Sequence, residues 1–134
     1  MIVVDASVLV TALADDGTDG DLARLRLRGE RLTAPCLIDV EVVAAWRRLA
    51  SLGQLDDRRV RLAMRDLLDL RLERVLPGPL LERCWELRGN LTIYDAAYVA
   101  LAELLEVSLL TADSRMRSAP GPRCPIEVLA PATT

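Results

Sequence analysis

Two short apolar runs stand out along the chain. Ile2-Val3-Val4 is continuous and β-branched and stops at Asp5, the pattern of a buried parallel strand. Val107-Ser108-Leu109-Leu110 is the second clear candidate for a buried strand and runs into Thr111-Ala112-Asp113. Weaker strand signals lie at 31–34, closed by Pro35, at 72–76 ahead of Pro77-Gly78-Pro79, and at 126–129. Between them the apolar spacing changes to helical. Residues 8–14 and 21–28 read as helices separated by a turn-rich loop at 15–20, the second stopping near Gly29. After Pro35, Leu37, Val40, Val43, Ala44 and Leu49 predict a helical face ending at Gly53. Asp56 is placed to cap a further helix whose apolar face is Val60, Met64, Leu67 and Leu68. Residues 80–88 read as a helix ended by Gly89-Asn90, and 93–105 as one with Ala96, Ala97, Ala100, Leu101 and Leu104 on its face. Residues 117–125 read as a Pro- and Gly-rich loop, and 130–134 as a frayed tail. Strands alternating with helices predict an α/β fold with a mainly parallel central sheet.

Composition then narrows the chemistry. At 134 residues and 51% hydrophobic, the chain has the size and core of one domain. Met1 to Val4 carries no basic leader, and no apolar run approaches the roughly 20 residues that span a bilayer, so a soluble cytoplasmic protein is expected. Histidine is absent, and all 17 basic residues are arginine. Without histidine there is no Ser-His or Cys-His pair and no imidazole metal ligand. Without lysine there is no Walker A loop and no Schiff base. Cys36, Cys84 and Cys124 show neither CxxC spacing nor an even count, and Cys84 falls in an apolar stripe as a core residue. Net charge is -3 and aromatics are 3%, which argues against a basic or base-stacking nucleic-acid surface. Most of the arginines are what GC-rich coding produces.

What remains is carboxylate chemistry. Asp5 ends the first strand and Asp113 follows the fourth, where parallel sheets present their ligand sites. Taken singly, each reads equally as a capping or loop aspartate. Glu41 sits inside the apolar run Val40-Glu41-Val42-Val43, where an ionised group is costly unless paired, exposed or bound to a cation; Asp39 is the better helix-terminal charge. Asp95 lies among small residues in Tyr94-Asp95-Ala96-Ala97-Tyr98, and it also reads as a helix cap. Two unit charges about 4 Å apart repel by roughly 4 kcal/mol at an effective dielectric near 20, so gathering such acids calls for a divalent cation. An all-oxygen donor set selects Mg²⁺ or Mn²⁺ over zinc, and those ions favour phosphoryl chemistry.

The segments Ile2-Val3-Val4-Asp5-Ala6-Ser7-Val8-Leu9-Val10, Glu41 in the helix after Pro35, Tyr94-Asp95-Ala96-Ala97-Tyr98-Val99-Ala100-Leu101-Ala102 and Leu110-Thr111-Ala112-Asp113 together resemble the PIN-domain family. More narrowly, they resemble the VapC toxins of bacterial type II toxin–antitoxin systems. The resemblance covers almost the whole chain and implies a single PIN domain over residues 1–134, with strand order 3-2-1-4-5. It implies an endoribonuclease that uses Mg²⁺ or Mn²⁺, with Asp5, Glu41, Asp95 and Asp113 as the acidic quartet at the metal. Ser7 and Thr111 match the polar residues that steady those acids. Asp113 is followed by Ser114-Arg115, so no further acid adjoins it. Arg115 and Arg117 are candidates for RNA phosphate contact, with surface ion pairing as the competing role. The resemblance further implies a VapB-like antitoxin, a homodimer, and transfer or ribosomal RNA as substrate. The helices at 21–28 and 37–70 are apolar enough to offer a groove to a partner helix, although core packing accounts for much of that pattern.

Three other readings are open at this point. One is a PIN nuclease of RNA maturation that works without an antitoxin, which the small size disfavours. Another is a PIN-like binding module that has lost cleavage, which an intact acid quartet opposes. A phosphoacceptor receiver domain shares the doubly wound pattern but relies on a lysine that this chain lacks.

Overall fold

A computed structural model describes residues 1–130. The frayed tail expected at 130–134 lies outside the described residues from Pro131 onward. Five strands form one parallel sheet: β1 (Ile2–Val4), β2 (Leu32–Pro35), β3 (Leu72–Val75), β4 (Leu109–Thr111) and β5 (Ile126–Val128). Their order is β3-β2-β1-β4-β5, as the resemblance implied. The register sets Val3 against Thr33 on one side and Leu109 on the other, so β1 is the hidden centre. That position explains its unbroken apolar sequence, since both faces are covered and polar alternation would bury unpaired groups.

Helices α1 (Ala6–Ala14), α2 (Thr18–Leu27), α3 (Ile38–Ser51), α4 (Asp57–Asp69), α5 (Leu81–Glu86), α6 (Ile93–Leu105) and α7 (Ser114–Ser118) flank the sheet, with a 3₁₀ turn at Gly78–Leu80. α6 lies against β1, β2 and β4. Its fully buried run Ala96-Ala97-Tyr98-Val99-Ala100-Leu101-Ala102 has the small side chains that let a helix axis come close to a sheet. Glu106 ends it in a left-handed conformation (φ 56°) and turns the chain back toward β4.

Several boundaries and faces differ from expectation. The loop after α1 is shorter than read, because Thr18-Asp19-Gly20 already belongs to α2. A side chain at Gly20 would collide with the Asp15 carbonyl, so a residue that looks like a turn former serves as a close-approach point inside a helix. α2 buries only Gly20 and Ala23, and Arg24 ties it down by donating to the carbonyls of Ala12 and Asp15. α3 is also rotated from its expected face. Ile38, Val42 and Trp46 are fully buried while Val40 is 68% exposed, because the Trp46 indole anchors the helix and donates to the Val10 carbonyl at 3.2 Å. On α4 the buried residues are Ala63 and Leu67, and Leu68 is 73% exposed. On α6, Leu104 likewise faces outward. α7 occupies the start of the span read as a loop at 117–125; Asp113 caps it, and its one buried residue is Met116. Cys84 is buried as expected, and the three cysteines are free. Among the described residues no helix is long and apolar enough to cross a membrane.

Candidate active site

β1 delivers Asp5 to the carboxyl edge of the sheet, and β4 delivers Thr111 beside it. The Asp5 backbone N–H bonds the Leu110 carbonyl at 2.9 Å, so the two strand ends are fastened together where the side chains meet. Asp5 is only 6% exposed. Its Oδ2 accepts two hydroxyls, Ser7 Oγ at 2.6 Å and Thr111 Oγ1 at 2.8 Å. Both bonds fall on one oxygen, which fixes the carboxylate plane and aims Oδ1 elsewhere. Ser7 Oγ also accepts the Ala112 N–H (2.9 Å), and Thr111 Oγ1 accepts the Asp113 N–H (3.0 Å). The two hydroxyls therefore hold the β4–α7 turn as well as Asp5. A one-carbon polar group at each of these positions is what such a double bond requires.

Glu41 reaches the same region from the first turn of α3. It is half-buried, and Tyr98 on α6 donates its hydroxyl to Oε1 at 3.0 Å. Burial pushes the Glu41 carboxyl up to about 6; the Tyr98 bond opposes that rise, and the charges of Asp5 and Asp95 add to it. Asp39 does not act as a free helix-terminal charge, because Arg74 takes it in a two-pronged ion pair at 2.7 and 2.9 Å. Asp95 stands in the first turn of α6. Thr92, not Asp95, caps that helix by accepting the Asp95 N–H at 3.1 Å. Burial raises the Asp95 carboxyl, neighbouring Asp5 and Asp113 raise it further, and Thr92 and Arg115 lower it. Asp113 is held below the usual carboxylate range by Arg115, which bonds it through Nε, Nη2 and the backbone N–H.

The acids thus form an electrostatic chain, Glu41 to Asp5 to Asp95 to Asp113, contributed by α3, β1, α6 and the end of β4. Asp95 and Asp113 border a cleft of about 240 Å³ lined also by Asn90, Leu91, Thr92, Arg115 and Met116. Among the described residues no three of these carboxyls converge closely enough to hold one ion as they stand. Arg115 is drawn into the cluster, whereas Arg117 is exposed on α7 and takes no part in the hydrogen bonds described. Tyr98 and Thr92 were overlooked in the sequence. The Thr-x-x-Asp spacing of Thr92 and Asp95 is a legible capping signature, but nothing local marks Tyr98 as the partner of a residue 57 positions away.

The PIN-domain family profile matches residues 2–122. Ribonuclease VapC9 of Mycobacterium tuberculosis is 46% identical over 132 residues, covering 96% of this chain and 98% of its own length. The chain belongs to the PIN-domain family of VapC ribonucleases. The crystal structure of PAE2754 from Pyrobaculum aerophilum superposes with a TM-score of 0.69 at 27% identity, covering 95% of this chain and 83% of that one. VapBC2 from Rickettsia felis, solved bound to a DNA fragment from its promoter, shares the fold at 14% identity (TM-score 0.69, 97% and 100% coverage). Within the PIN family the five-stranded parallel order seen here is the expected frame, and it puts the carboxyl ends of β1 and β4 at one edge.

Proposed function

We propose that this protein is a divalent-metal-dependent endoribonuclease that hydrolyses RNA phosphodiester bonds, with residues 1–134 acting as one PIN domain. The observation that carries the reading is the electrostatic chain that runs from Glu41 through Asp5 and Asp95 to Asp113. Burial and mutual repulsion drive two of these carboxyls upward in pKa. Half-buried acids that repel one another are stabilised by a cation, and an all-oxygen set suits Mg²⁺ or Mn²⁺. Asp5 and Asp113 are assigned as its principal holders, with Asp95 and Glu41 completing the site directly or through water. When bound, the ion supplies positive charge for the phosphate and acidifies water.

The chain's own groups do the rest. Ser7 and Thr111 keep Asp5 in one orientation. Glu41, held up near 6, is suited to accept a proton from the attacking water near neutral pH. Arg115 and Arg117 are assigned to RNA phosphate, and transfer or ribosomal RNA is the proposed substrate class. The assigned controller is a small VapB-like antitoxin, with the toxin itself a homodimer in the cytoplasm. An exposed apolar hollow between α3 and α4, lined by Val40, Val43, Ala44, Met64 and Leu68, is a suitable seat for a partner helix. The deciding experiment incubates purified protein with total RNA and Mn²⁺ or Mg²⁺ and maps the new ends. Cleavage should stop with a chelator and fall at least about 100-fold in Asp5→Asn, a loss on the scale of a removed transition-state contact. Undiminished cleavage by that variant would sink the assignment.

A further inference from the structure

Arg115 follows Asp113 by two positions and closes onto it in a fork. Nε meets Oδ1 at 3.0 Å and Nη2 meets Oδ2 at 2.9 Å, while the Arg115 backbone N–H also bonds Oδ1 at 3.0 Å. One residue therefore engages both oxygens of a carboxylate assigned to the metal. The guanidinium charge is felt by Asp95 as well, so it lies in the field of the two acids that border the cleft. Yet the Arg115 side chain is 89% exposed, against 27% for Asp113. The carboxylate is built into the protein; its partner is not. No three acids converge on a common point among the described residues, and one of the four has its oxygens turned to arginine.

We propose that Arg115 is an internal stand-in for the cation: it occupies Asp113 while the metal is absent and is displaced when the metal binds. This rests on the metal-site reading given above. The physical balance suits such an exchange. An exposed ion pair biases an equilibrium by about fivefold at most, enough to hold a carboxylate that has no metal and little obstacle to a divalent ion. The short tether returns the guanidinium once the ion leaves. Arginine suits this role better than lysine, because its planar fork takes both carboxylate oxygens at once.

The test is the Mn²⁺ affinity of the intact protein, by calorimetry or by the paramagnetic resonance of free Mn²⁺. Arg115→Gln should bind Mn²⁺ about two- to fivefold more tightly than the unaltered chain, because the competitor is gone. Arg117→Gln removes the same charge from the same short helix without touching Asp113, and should shift the affinity by less than about twofold. In a Mg²⁺ titration followed by arginine Nε–H resonances, the Arg115 signal should move in step with saturation. Equal or weaker Mn²⁺ binding by Arg115→Gln, or an Arg115 signal indifferent to Mg²⁺, overturns the exchange. If Asp113→Asn still weakens Mn²⁺ binding in that case, the metal site stands without it. Mn²⁺ binding indifferent to both Asp5→Asn and Asp113→Asn removes the metal site, and the exchange with it.

Discussion

Among single residues, Glu41 carries the most informative charge. Its carboxyl is raised to about 6 by burial, with Asp5 and Asp95 adding to the rise. A raised acid binds more protons folded than unfolded, so in metal-free protein its stabilising share is full below about pH 4.5. That share is lost as pH rises through about 6. Glu41→Gln should flatten this part of the stability curve, as measured by thermal unfolding from pH 4 to 7 without metal. With Mn²⁺ present the sign reverses for binding: protons compete with the ion, so affinity should fall as pH drops through 6. Tyr98→Phe removes the hydroxyl that steadies the Glu41 anion. It should cost about 1 kcal/mol of stability near neutral pH, and it should move the midpoint of Mn²⁺ binding to higher pH. A midpoint left in place would mean that Tyr98 serves packing alone.

At the scale of elements, the site depends on how strand ends and helix starts are tied. Thr92 caps α6 through the Asp95 N–H, so the same bond that starts the helix sets the height of Asp95. Thr92→Ala should cost about 1 kcal/mol in unfolding and should weaken Mn²⁺ binding without abolishing it. Gly20 is a second such point. Gly20→Ala brings a methyl group against the Asp15 carbonyl inside the α1–α2 corner. A loss of about 1–3 kcal/mol is expected by denaturant titration, with metal affinity unchanged because the corner lies away from the acids. The buried faces at this scale were only partly legible. The apolar runs of α3 and α4 contain more leucine and valine than the core accommodates, so periodicity alone does not say which stripe turns inward. Trp46 decides it for α3, because one large ring with a bonded N–H outweighs several aliphatic side chains.

For the whole molecule, a ligand that binds only the folded state stabilises it by mass action. If the four acids hold a divalent ion, Mn²⁺ at 100 times its dissociation constant should add about 2.7 kcal/mol to unfolding stability near pH 7.5. The gain should vanish in Asp5→Asn, which a thermal-shift series with and without Mn²⁺ would read directly. A gain of equal size in that variant would place the ion elsewhere.

The strand-helix alternation, the central place of Ile2-Val3-Val4 and the candidacy of each acid were all readable from the chain itself. They follow from local rules: a strand covered on both faces is apolar throughout, and an acid immediately after it lies at the carboxyl edge. The missing histidine and lysine had already removed imidazole ligands and lysine chemistry and left the carboxylates as the leading candidates. Tertiary structure decided what no local rule reaches. It set Thr111 on the oxygen of Asp5 that Ser7 also bonds, across 106 positions of sequence, and Tyr98 on Glu41 across 57. It also closed Arg115, a candidate phosphate ligand, onto Asp113 in an ion pair. Hydrogen bonds and charge shifts depend on distance in space and on exclusion of water, and those two quantities exist only once the chain has packed.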